Sequence, residues 1–155
     1  VLADWNGLMI AALARAASAF EKPQWLALAA TAFDCITKSM AEPGGRLWHA
    51  LRDGRARAPG TASDYANMTW AAIRLYEATL DERYLAHAKT WTETLTHHFN
   101  DRDSGGYFTV ADDTTDVIVR LKAASDDAVP NANAIQLWNS IALAALTGDG
   151  RYDDE

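Results

Sequence analysis

Helical stretches that are apolar on every side alternate along this chain with stretches apolar on one side only, and that alternation limits what it can fold into. Leu8, Met9, Ile10, Ala11, Ala12, Leu13 and Ala14 leave no polar stripe in the first stretch, and Ile135, Leu137, Trp138, Ile141, Leu143 and Leu146 leave little in the last. A helix with no wet face must be surrounded by other elements. Between them, Trp25, Leu26, Ala29, Phe33 and Ile36 form one stripe, and Tyr84, Leu85, Ala88, Trp91, Leu95 and Phe99 form another, the latter opposite Lys89, Glu93 and His97. The periodicity predicts five helices over 5–20, 23–40, 62–80, 82–99 and 133–147, with a sixth beginning where the chain stops. Inner and outer helices therefore take turns, and the fold class is all-α.

An internal repeat supports that order. Arg15 and the group Trp25-Leu26-x-x-Ala29 recur as Arg74 and Tyr84-Leu85-x-x-Ala88, and Thr79-Leu-Asp-Glu-Arg-Tyr84 returns as Thr147-Gly-Asp-Gly-Arg-Tyr152. Helix pairs stack in series because one pair cannot cover its own apolar face. Loop lengths alternate too. Inner-to-outer turns are tight, at Glu21-Lys22, Asp81 and Gly148-Asp149-Gly150, whereas outer-to-inner connections are long, 41–61 and 100–132. In the second, Gly106 to Val110 and Val117 to Leu121 alternate in hydropathy around polar Asp112 to Asp116, which predicts a small β-hairpin in the loop before the fifth helix. The long loops gather at one rim, where the inner helices begin. Free N–H groups and the positive dipole ends there suit oxygen-rich ligands. Residues 1–155 are expected to form a single segment of an α/α toroid, a fragment too short to close the ring.

With 155 residues and a net charge of -7, the chain lacks the basic footprint of a nucleic-acid binder. The run Leu8 to Ala17 is broken by Arg15 and is too short for a bilayer, so no membrane partner is expected. Cys35 stands alone and forms no internal disulfide, and no secretory leader is visible, so a cytoplasmic location is expected. Val1 in place of an initiating Met reads as a trimmed end.

Five motifs in order then carry a resemblance over essentially the whole chain. They are Asp4-Trp-Asn-Gly-Leu-Met-Ile10, Ser63-Asp-Tyr-Ala66, Leu75-Tyr-Glu-Ala-Thr79, Ser104-Gly-Gly-Tyr-Phe108 and Asp126-Asp-Ala-Val-Pro-Asn-Ala-Asn133. Together they resemble the carboxy-terminal six-hairpin region of the spermatogenesis-associated, thioredoxin-like-domain protein family. The resemblance implies an (α/α)6 toroid similar to glycoside hydrolases and N-acylglucosamine 2-epimerases, of which this chain supplies about two and a half helical hairpins. It also implies an amino-terminal thioredoxin-like domain, which this chain lacks. No Cys-x-x-Cys is present, so redox chemistry does not carry over. Pro130-Asn-Ala-Asn133 stands where relatives often have Pro-Ser-Gly-Asn.

Carboxylate pairs serve glycosidic cleavage, one as acid and one as base or nucleophile. Asp64 with either Asp126 or Asp127 is the candidate catalytic pair, although aspartates at helix starts equally serve as caps. Trp5 and Tyr65 are candidates for stacking on a sugar ring, or else for the core. Asn6, Asn131, Asn133 and His49 complete the expected substrate-binding set. An epimerase needs histidines beside the sugar carbon, and His49 alone lies near the rim, since His87, His97 and His98 belong to an outer helix. The spacing Asp101-x-Asp103-x-Gly105-Gly106-x5-Asp112 matches a calcium loop, yet it leads into an expected strand and reads as a turn. Cys35 reads as a core thiol. No metal and no cofactor are expected. A sugar is the expected ligand, for a glycosidase- or epimerase-like segment; the competing reading is a non-catalytic structural or interaction domain. An open ring exposes apolar flanks, so self-association, or a missing amino-terminal half of the toroid, is the expected protein partner.

Overall fold

A computed structural model describes the chain except Pro43, Asp116, Asp154 and Glu155. Five helices run in the expected order: α1 (Ala3–Ala19), α2 (Pro23–Ser39), α3 (Ala62–Thr79), α4 (Glu82–His98) and α5 (Ala132–Thr147), followed by a short 3-10 turn at Gly150–Asp153. Their ends have local causes. Pro23 opens α2, where its missing N–H costs nothing. Thr61 and Asp64 close a reciprocal capping box on α3. Asp81 caps α4 by accepting from Arg83 N, and Asn131 caps α5 by accepting from Asn133 N and Ala134 N. Gly148 ends α5 in the left-handed conformation that glycine adopts without steric cost. No helix among the described residues is long and apolar enough to cross a membrane.

The inner row is α1, α3 and α5, with α3 in the middle, packed against α1 on one side, α5 on the other and α4 behind. Eleven of its eighteen residues are buried, so α3 is the helix that is wrapped all round. The expectation of complete burial fails for the other two inner helices. Trp5 and Met9 on α1, and Leu137, Trp138 and Ile141 on α5, are exposed, because each of these helices has one inner neighbour instead of two. The outer pair is one-sided as expected. Phe33 of α2 meets the Tyr84 and Trp91 rings of α4 at 5.1 and 5.7 Å, forming the outer part of the core. Gly7 lets α1 approach α3 so closely that any Cβ there would lie 2.7 Å from the Asn67 carbonyl carbon.

The β-hairpin is in the other long loop. Strand β1 (Trp48–Arg52) pairs antiparallel with β2 (Arg55–Pro59), joined by Asp53 and Gly54, both at positive φ (53° and 70°). A two-residue Asp-Gly connection of that hand matches the right-handed strand twist. Among the described residues, 106–110 and 117–121 form no ladder. They are tied by isolated contacts, Thr109 N to Leu121 O and Arg120 Nε to Val110 O, while Val117, Ile118, Val119 and Leu121 are exposed. The calcium-like spacing is a turn. Asp101 Oδ1 accepts from Asp103 N and Ser104 N, and the Lys122 ammonium occupies the cation's place, 2.6 Å from Asp101 Oδ2 and 2.7 Å from Gly105 O. Cys35 corrects another expectation: it is exposed, one position off the buried stripe of Ala29, Phe33 and Ile36.

Candidate functional site

The three inner helices begin at one rim. Asp4 N, in the first turn of α1, donates to Asp64 Oδ1 in the first turn of α3 at 3.0 Å. The starts of α3 and α5 share a cleft of about 130 Å3, lined by Ser63, Tyr107, Asp127, Asn131 and Asn133 among others. A wider, shallower hollow beside it runs from Gly106 and Lys122 past Asp126 to Leu137.

Asn131 and Asn133 build the cleft wall. Asn133 Oδ1 accepts from Tyr107 N at 2.6 Å while its Nδ2 donates to Tyr107 O at 3.1 Å and Ala123 O at 3.2 Å, pinning the 107 loop to α5. Asn131 is buried, donating from Nδ2 to Ser125 O as its Oδ1 caps the helix. Gly106 sits where a Cβ would strike Asn133 Oδ1 at 2.8 Å, and its φ of 73° excludes one as well.

The three candidate carboxylates part company. Asp126 Oδ1 accepts from Asn131 N at 2.8 Å and so tightens the loop. Asp127 lines the cleft, exposed and with no side-chain partner among the described residues. Asp64 has no exposed surface. Its Oδ2 accepts from Thr61 N at 2.7 Å and Thr61 Oγ1 at 2.9 Å, its Oδ1 from Asp4 N, and His49 Nδ1 lies 3.1 and 3.0 Å from the two oxygens. Of the two roles expected for Asp64 the structure shows the helix cap, and burial keeps its oxygens from direct contact with a ligand at the surface. Tyr65 takes the core alternative. It is fully buried against Phe99, its hydroxyl accepting from Leu47 N at 2.9 Å, so neither ring face is open to a sugar. Asn6 donates to Leu2 O at 2.7 Å within its own helical turn. Trp5 is 58% exposed beside Asp4, an open indole at the rim.

Electrostatics follow from this crowding. Burial, then the charge of Asp64, pushes the Asp4 carboxyl above its ordinary value. The hydrogen bond to Asp64 lifts the His49 imidazole above 6.5, against its partial burial. Donor atoms of Asp4, His49 and Asp64 lie within 4.8 Å of one another, the spacing of a metal trio. Both Asp64 oxygens are already filled by N–H and O–H donors, however, so the cluster is held by hydrogen bonds.

No protein-family profile matches the chain. The chain is similar along its whole length to spermatogenesis-associated protein 20. It is 30% identical to the rat protein over 165 aligned positions and 28% identical to the human one, each alignment covering 100% of this chain. It spans 21% of the length of those relatives, so it corresponds to one part of spermatogenesis-associated protein 20. Solved toroids share the fold. Cellobiose 2-epimerase from Spirochaeta thermophila superposes with a TM-score of 0.77 at 18% identity, covering 99% of this chain and 40% of its own. A GH76 α-mannanase from Bacteroides thetaiotaomicron gives 0.70 at 16%, covering 99% and 41%. An α-1,6-mannanase from Salegentibacter, an inactive variant with two consecutive aspartates replaced and α-1,6-mannotriose bound, gives 0.74 at 18%, covering 99% and 44%. This chain thus has the partial (α/α)6 toroid architecture expected from the motifs.

Ser63 and Tyr107 stand in the quoted motifs, but sequence reasoning did not single them out as site residues. Their signal was position, since Ser63 precedes Asp64 and Tyr107 follows two glycines.

Proposed function

We propose that the rim at the starts of α1, α3 and α5 is a sugar-binding site, and that the chain is a segment of a carbohydrate-processing toroid of the glycosidase or epimerase kind. The observation that carries this reading is the cleft between α3 and α5, where Asp127, exposed and with no side-chain partner among the described residues, stands among hydroxyl and carboxamide groups. Sugars are recognised by such groups, with apolar ring faces covered by an aromatic such as Trp5. The Salegentibacter mannanase is inactive when two consecutive aspartates are replaced, and Asp126-Asp127 is a consecutive pair at this cleft, Asp126 fixed to Asn131 and Asp127 with no side-chain partner among the described residues. In this reading Asp127 contacts the ligand and Asp126 holds the loop.

Titration calorimetry with α-1,6-mannotriose and with cellobiose tests it. Binding of either sugar, weakened about tenfold or more in Asp127→Asn, is the expected result. Heat from neither sugar sinks the reading. The rival, a scaffold that keeps the toroid without chemistry, draws support from Asp64 being spent on a helix cap.

A further inference from the structure

We propose that His49 is a proton-transfer group of this site and that Asp64 is its positioning residue. The inference rests on the reading of the rim as a sugar site and adds the base that Asp64 is too buried to be.

The geometry begins with Asp64. A carboxylate with no exposed surface and three other donors on its oxygens has one fixed orientation. It can only accept, so the His49 Nδ1 facing it carries the proton, and the neutral imidazole is held as the Nδ1–H tautomer. That leaves Nε2 with its lone pair. Nε2 has no partner among the described residues, and the side chain is 31% exposed. The strand that carries the ring is fixed to α1. Strand β1 is tied to the start of α1 by Leu51 N to Val1 O at 2.9 Å, by the Val1 amino group to Leu51 O at 2.9 Å, and by the Leu2–Ala50 bridge.

A purely structural role would need only a cation to balance Asp4 of α1 and Asp64 of α3, the charged groups that face the ring. Lysine or arginine would do that at every pH. Histidine adds a second nitrogen and a charge that changes near neutrality. The dyad stands at the rim, between the first turn of α3 and the start of α1, where Asp4 N donates to Asp64. In the step itself, Nε2 takes the proton of a bound sugar hydroxyl and the O–H electron pair stays on that oxygen. The imidazolium so formed is paired with Asp64. Return of the proton to that oxygen restores the hydroxyl and the neutral ring. The carboxylate orients and stabilises without itself being protonated.

NMR of the intact chain tests the dyad without any ligand. Ring nitrogen shifts are expected to report the Nδ1–H tautomer of neutral His49, and Asp64→Asn is expected to weaken proton affinity at His49 by about tenfold. An Nε2–H tautomer in the wild type, or an unchanged His49 titration in a folded Asp64→Asn variant, overturns the proposal and leaves the sugar site standing. With α-1,6-mannotriose or cellobiose added, the affinity is expected to rise as pH rises through the His49 titration, and to become flat in His49→Gln. Sugar binding that shifts Ser63 and Asn133 but leaves His49 unmoved and the affinity independent of pH also overturns it. Failure of both sugars to bind removes the site reading and the proposal with it.

Discussion

Gly7→Ala tests the closest contact in the structure. Gly7 lies mid-helix in α1, where α1 crosses α3, and an added Cβ would sit 2.7 Å from Asn67 C, 2.8 Å from Asn67 O and 2.9 Å from Met68 N. All three are main-chain atoms of a buried helix, so no side chain can swing aside. Relief requires the helices to separate by roughly an ångström, which thins the dispersion contacts along the whole crossing. Overpacking of this kind costs about 1–3 kcal/mol, and the rigid backbone puts Gly7 at or above the upper end. Alanine returns about 1 kcal/mol of helix propensity. The net expectation is a loss of about 2 kcal/mol, a fall in melting temperature of about 4–8 °C for a domain of this size. Urea and thermal unfolding followed by circular dichroism at 222 nm measure it. Gly44→Ala is the control, because its Cβ would meet nothing within 4 Å. A Gly7→Ala protein as stable as the wild type, or more so, would refute the close-approach argument.

Three further outcomes are expected. His49, raised above its ordinary value by Asp64, contributes stability that is complete below pH 6.5 and lost as pH rises through the folded value; His49→Gln should flatten that part of the stability–pH curve, and an unchanged slope from pH 6 to 9 would count against the pair. Exposed Leu137, Trp138 and Ile141 on α5 should drive concentration-dependent association in sedimentation velocity, diminished in Trp138→Glu; a monomer at every concentration, with no change in the variant, rejects that surface. Exposed Cys35 should react with a thiol reagent in the native state at a rate close to that of a free peptide, whereas labelling only after unfolding would restore the core reading.

Helix order and spans were legible because periodicity, Pro23, Asp81 and Gly148 all act within a few residues of one another. The convergence of helix starts was legible from loop lengths alone. What was missed depends on partners distant in sequence. The alternation at 106–121 looks like a hairpin, but its apolar residues find no second strand, while Asp53-Gly54 was a stronger turn signal for a hairpin at 48–59. Cys35 lies on a helix whose buried face was expected correctly in outline, yet one residue's rotation about the axis decides exposure; Trp138, expected to be buried, is exposed because α5 has one inner neighbour instead of two. The fate of Tyr65 was open in the sequence, since a helix-start aromatic can face the rim or the core, and Phe99 with Leu47 N draws it inward.

The rim joins three elements through one side chain. Asp64 closes the cap of α3 with Thr61, receives Asp4 N from α1, and faces His49 from β1, so three elements that meet nowhere in sequence are registered on a single carboxylate. Removing it leaves buried donors without an acceptor as well as an unoriented imidazole, and the first loss alone costs about 1–3 kcal/mol for each orphaned group. Stability measurements on Asp64 variants therefore cannot distinguish a cap from a positioning residue. Exchange of His49 can, because glutamine leaves every Asp64 acceptor contact to Thr61 and Asp4 in place and takes away only the titrating nitrogen. If ligand binding responds to His49→Gln while the unfolding midpoint near pH 8 barely moves, the carboxylate serves both purposes, and its burial is what makes the histidine specific.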